Sequence, residues 1–137
     1  MVNGWRGEPA PARAAALVVV VLLGYGTAVH LIQLVTSGFD PYPHLPGWLR
    51  TSFTALTVLD PLAAVLLARR HRSGVVLAVA VFVSDAAANA VANYGLDPSA
   101  GVTAGRLGQA VLTILASAVC GAAPHLWRSA SSSQRQT

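Results

Sequence analysis

Residues 51–92 read TSFTALTVLDPLAAVLLARRHRSGVVLAVAVFVSDAAANAVA, and the expected fold of the chain follows from this segment. It contains two long apolar runs joined by the basic turn Arg69–Ser73, and each run carries one aspartate, Asp60 or Asp85. A helix of about 20 apolar residues crosses a hydrocarbon core roughly 30 Å thick. A carboxylate at the centre of such a helix costs on the order of 3 kcal/mol on insertion scales. The two aspartates therefore indicate a function inside the membrane.

Apolar segments of this length occur four times in the chain. They are Ala14–Val35, Thr51–Ala68, Gly74–Ala92 and Leu107–Leu126. The 137 residues are 54% hydrophobic and only 10% charged, and the mean hydropathy is positive. Such a chain is too apolar for a soluble domain and too short for two membrane bundles. We expect an all-α fold, a bundle of four transmembrane helices, in a multi-pass protein of the cell membrane.

The ends of the chain differ in composition from its middle. Residues 1–13 are rich in glycine and proline and are expected to form a flexible leader. Residues 129–137 are polar and of low complexity, which is typical of a disordered tail. The transmembrane domain is therefore predicted to span residues 14–128.

The basic residues predict the orientation of the bundle. All nine are arginine, and seven of them lie near the two ends of the chain or in the turn between the second and third segments. Only Arg50 and Arg106 fall on the opposite side. The positive-inside rule then places both termini in the cytoplasm. Arginines at helix ends contact lipid headgroups, so membrane lipid is a predicted partner and nucleic acid is not.

Polar residues recur within each apolar segment, most of them in its outer half. They are His30 and Gln33 in the first segment, Thr57 and Asp60 in the second, Asp85 and Asn89 in the third, and Gln109, Thr113 and Ser117 in the fourth. Asn89 follows Asp85 by one helical turn, so both lie on one face. Asp60 and Asp85 fall near the bilayer midplane. One polar stripe per helix predicts a shared interior cavity.

The surroundings of the two acids favour proton chemistry. Pro61 has no N–H, so the carbonyl of Thr57 loses its helical partner and a bend is expected beside Asp60. A carboxylic acid in apolar surroundings favours its neutral form and can donate a proton. If two such acids share one proton, one stays neutral and the other is an anion. Aromatic rings towards the outer end can stabilise a cation, and these are Trp48, Phe53, Phe82 and Tyr94.

Structural roles are the alternative for each of these residues. Asp60 and Asp85 can serve as hydrogen-bonding groups between helices, and His30 can bond to a backbone carbonyl. Asn89 suits either helix packing or ligand contact. The small polar residues of the fourth segment suit close packing of helices in lipid. A metal would need His30 together with both aspartates, and no metal site is predicted.

Short motifs resemble a known family. Residues 28–34, Ala-Val-His-Leu-Ile-Gln-Leu, resemble the first-helix His-Leu signature of the EXPERA family of four-helix membrane proteins. Pro46-Gly47-Trp48 is similar to the family's Pro-x-Trp, residues 60–63 resemble its Gly-Pro-Leu-Ser, and Ser84-Asp85 resembles a third-helix Gly-Asp. The family includes the sterol double-bond isomerase, which protonates a double bond and quenches the cation, and the sigma-2 receptor.

The resemblance implies functional roles for His30 and Asp85. The family's acid four residues after the histidine falls on Leu34 here, and Asp60 stands where the family has glycine, which implies that the acid has moved. Small bacterial membrane terpene cyclases are similar in size and in helix count. Together these likenesses imply proton-initiated carbocation chemistry on an isoprenoid.

The predicted function is therefore a membrane-embedded isoprenoid cyclase or isomerase that acts on a lipophilic substrate without any cofactor. The catalytic residues are predicted to be Asp60, Asp85 and His30. The substrate-binding residues are predicted to be Gln33, Trp48, Phe53, Thr57, Asn89 and Tyr94. A small proton-coupled multidrug-type transporter and a non-catalytic lipid-binding accessory protein are the alternatives, and a homodimer is left open.

Overall fold

Long helices make up almost the whole chain. The computed structural model describes residues 5–38 and 41–134, and these ranges contain no β-strand. The helices are α1 (Ala10–Ser37), α2 (Gly47–Ala68), α3 (Arg72–Ala90) and α4 (Ala104–Gln134), and α3 continues as a π-helical segment over Val91–Leu96. The all-α prediction is confirmed.

All four helices are long and apolar enough to cross a membrane, counting the π-helical segment with α3. Large apolar side chains also cover the outside of the bundle. Val18, Val58 and Ile114, for example, are 56%, 66% and 67% exposed. Such an apolar surface is compatible with contact to lipid chains, whereas in water it would promote aggregation. The chain thus has the architecture of a four-helix membrane protein, as its sequence predicts.

The helix boundaries differ from the predicted ones at both ends of the chain. α1 begins at Ala10, inside the predicted leader, and α4 continues to Gln134, inside the predicted tail. Pro9 precedes α1 and Pro11 lies in its first turn. Amides of the first turn have no helical acceptor, so proline costs nothing there. Residues 1–4 and 135–137 of the predicted leader and tail lie outside the described residues.

Trp5 joins the N-terminal segment to the turn between α2 and α3. Its side chain is fully buried, and its indole N–H donates to the carbonyl of Leu67 at 3.0 Å. The guanidinium of Arg70 lies 5.5 Å from the centre of the Trp5 ring and donates to the Glu8 carboxylate and to the Ser129 carbonyl of α4. Arg70 has a φ of 62°, a strained conformation for a residue with a side chain. These contacts offset that strain and tie three parts of the chain together.

Replacing Trp5 with phenylalanine is expected to lower the free energy of unfolding by roughly 1–2 kcal/mol, because the hydrogen bond is lost and the smaller ring leaves a gap. Thermal unfolding in detergent measures this. Trp48→Phe is the matched control, since Trp48 is 56% exposed. Equal midpoints for the two variants would contradict a stabilising role for Trp5.

Each helix packs mainly against its neighbours in the chain, so the bundle is packed less tightly between its first and last helices. α1 packs along α2, α2 along α3 and α3 along α4, whereas α1 and α4 approach each other much less. α2 and α3 come especially close at Gly74, where a Cβ atom would overlap the backbone of Leu67. We refer to the gap between α1 and α4, bordered by Tyr25 and Val111, as the α1–α4 seam. Tyr25 is 70% exposed and Val111 57%, yet both also line the interior cavity, so the cavity opens sideways there.

Candidate functional site

A cavity of about 480 Å³ lies inside the bundle and is lined by all four helices. Most of its wall is apolar, with Leu23, Phe53, Val81, Phe82 and Leu112 among its members. The polar members are His30 and Gln33 of α1, Tyr42 of the loop before α2, Asp60 of α2, Asp85 and Asn89 of α3, and Gln109 of α4. A concave, mainly apolar cavity with a few convergent polar groups is typical of a small-molecule site.

Asp60 is buried where α2 faces α1. The residue is 4% exposed, and its Oδ2 atom lies 3.9 Å from Nε2 of His30. This distance exceeds a hydrogen bond, but charges interact strongly over it in apolar surroundings. Gly26, one turn before His30, allows the approach, because a Cβ atom there would lie only 2.5 Å from Asp60 Oδ2. Asp60 is thus positioned by a glycine on a neighbouring helix. α2 itself runs on through Pro61 to Ala68.

Asp85 is held by its own helix. The side-chain amide of Asn89 donates to Asp85 Oδ1 at 2.8 Å and to the Asp85 carbonyl at 3.1 Å. The amide of Asn93 in turn donates to the Asn89 carbonyl at 2.9 Å. Asp85 and Asp60 come from adjacent helices and line the same cavity. Two carboxyl groups therefore border one apolar space, and one of them has a histidine beside it.

Tyr42 brings the loop before α2 into the cavity wall. Its hydroxyl donates to Gln33 Oε1, and its ring lies 5.0 Å from that of Phe53. Burial, and secondarily the charge of Asp85, raises the pKa of Tyr42 above its usual value, so this phenol stays neutral and keeps its proton to donate. Tyr42 is not predictable as a site residue, because residues of a proline-rich loop have no periodicity that assigns them to a face.

Gln109 is also part of the wall, although its place in a stripe of small polar residues predicts a packing role. The residue is 6% exposed, and its Nε2 atom donates to the Ala86 carbonyl of α3 at 2.9 Å and to Thr113 Oγ1 at 3.1 Å. Thr113 and Ser117, which share its stripe, are exposed on the outside of α4. Gln109 does link α3 to α4, as packing requires, and it also borders the cavity.

Three of the predicted substrate-binding residues do not line the cavity. Trp48 lies in the first turn of α2 and is 56% exposed. Tyr94 is 58% exposed, and the guanidinium of Arg106 lies 5.3 Å from its ring centre. Thr57 is half-buried, and its hydroxyl has no hydrogen-bond partner among the described residues. Spacing along the chain predicted a place near the outer end or beside Asp60, but Trp48 and Thr57 lie on parts of α2 outside the cavity wall, and Tyr94 lies in the π-helical segment after α3.

No group of three or more His, Cys, Asp or Glu side chains within residues 5–38 and 41–134 is arranged to hold a metal ion. His30 pairs with Asp60, whereas Asp85 is bonded by Asn89. No family model, curated protein or solved structure matches this chain.

Proposed function

We propose that this protein is a membrane-embedded isoprenoid cyclase or isomerase that starts its reaction by protonating a carbon–carbon double bond. The observation that carries the proposal is that Asp60 and Asp85 border one largely apolar cavity, with His30 beside Asp60. A carboxyl group in such surroundings retains its proton more readily than in water. It can then serve as a general acid towards an alkene, which is a weak base.

The proposed first step moves one proton from Asp60 to the substrate. The O–H bond of the carboxyl group breaks, the π electrons of the alkene form a new C–H bond, and a carbocation and the Asp60 carboxylate remain. A second double bond of the substrate then attacks the cation in a cyclase, or a neighbouring C–H bond loses its proton in an isomerase. Either route ends with a proton returned to the protein, so no net charge is left.

The remaining polar and aromatic groups have supporting roles in this scheme. The Asp85 carboxylate, held by Asn89, stabilises positive charge that develops in the cavity. The ring of Phe53 offers a π face to the same charge. His30 returns a proton to Asp60 after small side-chain movements close the 3.9 Å gap between them. The apolar wall keeps water from trapping the cation.

The α1–α4 seam is the proposed route for the substrate. An isoprenoid dissolves in the hydrocarbon core and reaches the cavity sideways, between Tyr25 and Val111, without crossing water. Gly108 lies on the α4 side of the cavity, and a Cβ atom there would meet nothing within 4 Å, so the space beside it is open to a substrate. Lateral access fits a lipophilic substrate better than a water-soluble one.

Solvent isotope labelling tests the proposal. Purified protein is incubated in D₂O with a panel of polyprenyl substrates, and the products are analysed by mass spectrometry. Because the Asp60 carboxyl proton exchanges with water, the product is expected to carry deuterium at the carbon that was protonated. Product without deuterium would mean that the reaction starts by another route, and absence of product across the panel would argue against an enzyme of this class.

The pair of His30 and Asp60 also suits a second function, proton-coupled transport. Two titratable groups 3.9 Å apart within the membrane can exchange a proton as a substrate binds and leaves. Substrate-driven proton flux in liposomes, with no change in the substrate, would favour the transporter. Saturable lipid binding with neither flux nor product would favour an accessory protein.

We further propose that both termini face the cytoplasm. The support is the asymmetry of the arginines, seven on the side of the termini and two on the other. A fluorescent protein fused to the C-terminus is expected to be bright, and alkaline phosphatase fused at the same place is expected to be inactive. The reverse pair of results would invert the topology, and the cavity would then lie nearer the cytoplasmic side.

A further inference from the structure

Gln109 has one polar atom with no hydrogen-bond partner within residues 5–38 and 41–134. Its amide has two N–H donors, and both are used, one on the Ala86 carbonyl and one on Thr113 Oγ1. Its acceptor, Oε1, is buried and has no hydrogen-bond partner among the described residues. A buried amide oxygen left without a donor is costly and uncommon in folded proteins. The space that Gln109 borders is the cavity.

The orientation of this amide is set by its neighbours. Ala86 offers a carbonyl, which only accepts, so the Nε2 atom must face it. The hydroxyl of Thr113 donates to the main-chain carbonyl of Gln109 at 2.9 Å, so it can only accept from Nε2. The amide therefore cannot be turned over without breaking two hydrogen bonds. Oε1 is held in place as an acceptor with nothing from the described residues to accept from.

We infer that Gln109 Oε1 binds a hydroxyl group, and that the molecule that enters the cavity is an isoprenoid alcohol. The inference rests on the proposed function for the isoprenoid part, and on Gln109 for the alcohol part. An amide oxygen carries no charge, and it suits a neutral donor. A cationic amine would instead be bound by the carboxyl groups of Asp60 and Asp85, which line the same cavity, and would make no use of Gln109 Oε1. The largely apolar remainder of the wall suits a hydrocarbon chain.

The position of Gln109 also orients the substrate. Its amide spans α3 and α4, whereas Asp60 and His30 meet where α2 faces α1. A hydroxyl bound at Gln109 therefore lies on the α3–α4 wall, across the cavity from Asp60. The double bond that Asp60 protonates is then one distant from the hydroxyl end of the chain. Gln109 thus selects both the polar group and the end of the molecule that reacts.

A binding comparison tests this inference. Farnesol and farnesyl methyl ether share a chain, but only farnesol has a donor. Their affinities for the purified full-length protein in nanodiscs are measured by calorimetry. The wild-type protein is expected to prefer farnesol about tenfold, the effect of one buried hydrogen bond. Gln109→Met, which keeps the length of the side chain without the amide, is expected to bind both probes equally.

A second variant keeps the test independent of the folding of Gln109→Met. Thr113→Val keeps Oε1 but removes one of the two hydrogen bonds that hold the Gln109 amide. The preference for farnesol is then expected to fall by a few fold. Equal affinities in the wild-type protein, no binding of either probe, or an undiminished preference in both variants would overturn the inference. So would tighter binding of farnesylamine that Asp60→Asn abolishes and Gln109→Met does not.

The outcomes for the hydroxyl site and for the reaction are separable. Binding is measured without turnover, so an alcohol preference that depends on Gln109 in a protein without products would keep the site and remove the reaction. Deuterium-labelled products from a protein with no alcohol preference would support the reaction and remove the hydroxyl site.

Discussion

Replacing Asp60 with asparagine is expected to lower the turnover of an isoprenoid substrate by roughly 10²–10⁴-fold, the usual contribution of a positioned general acid. Asparagine has nearly the same shape and fills the same space between α2 and α1, but it has no acidic proton to give. Substrate affinity should change little, because the proposed hydroxyl contact lies at Gln109. The measurement is kcat and KM in detergent or nanodiscs with product analysis.

Asp97→Asn is the matched control for Asp60→Asn. Asp97 lies in the connection before α4, where hydrogen bonds from Ser99 lower its pKa, so it is a solvated anion with no proton to donate. Its replacement is expected to leave turnover unchanged. Equal turnover in wild type and Asp60→Asn would remove Asp60 as the acid and with it the proposed mechanism.

Gly26→Ala is expected to lower turnover about 10²-fold, although no catalytic group is altered. The new Cβ atom would lie 2.5 Å from Asp60 Oδ2 and 3.3 Å from its Cγ, which is too close for either to remain in place. Moving a reacting group by about 1 Å can lower the rate of the reaction by about this factor. Alanine stabilises a helix relative to glycine by roughly 1 kcal/mol. A loss of turnover in Gly26→Ala could therefore not be attributed to a weakened helix.

Gly24→Ala provides the matched control on the same helix. A Cβ atom at Gly24 would meet nothing within 4 Å, so this variant should keep full turnover and unfold at the same or a higher temperature. A double-mutant cycle then identifies the cause. If Gly26→Ala acts by displacing Asp60, adding it to Asp60→Asn should cost almost nothing more. Additive losses would mean that Gly26 matters for another reason.

The helices were predictable because a membrane span needs a minimum apolar length, and composition alone reveals it. The first helix illustrates the limit of that signal. Pro9 and Pro11 suggested a leader, since proline usually interrupts helices, yet proline is equally suited to a helix start. Hydropathy does not separate these two uses. The buried position of Trp5 depends on Leu67 and Arg70, which are distant in sequence.

The polar stripes predicted that His30, Asp60 and Asp85 share a cavity, but which side chains pair within it was predictable only where the contacts are local. Asp85 and Asn89 lie one turn apart on one helix, so their pairing follows from the spacing. The approach of His30 to Asp60 depends instead on how α1 packs against α2, and a glycine four residues before a histidine does not reveal that. No sequence pattern assigns Tyr42 to the cavity. The pattern around Gln109 predicts packing, because a polar residue in a helix has the same spacing whether it packs or binds a ligand.

The amino-acid sequence alone is enough to predict how each apolar segment enters the membrane. Four apolar runs must each become a helix to satisfy their backbone in lipid, and the positions of the arginines predict which ends face the cytoplasm. Which polar groups meet depends on the packing of the helices and is seen only in the folded protein. The rotation of each helix about its axis is set by contacts such as Gly26 with Asp60 and Gly74 with Leu67. Those rotations bring Asp60, Asp85 and Gln109 to one cavity and turn Trp48 and Tyr94 away from it.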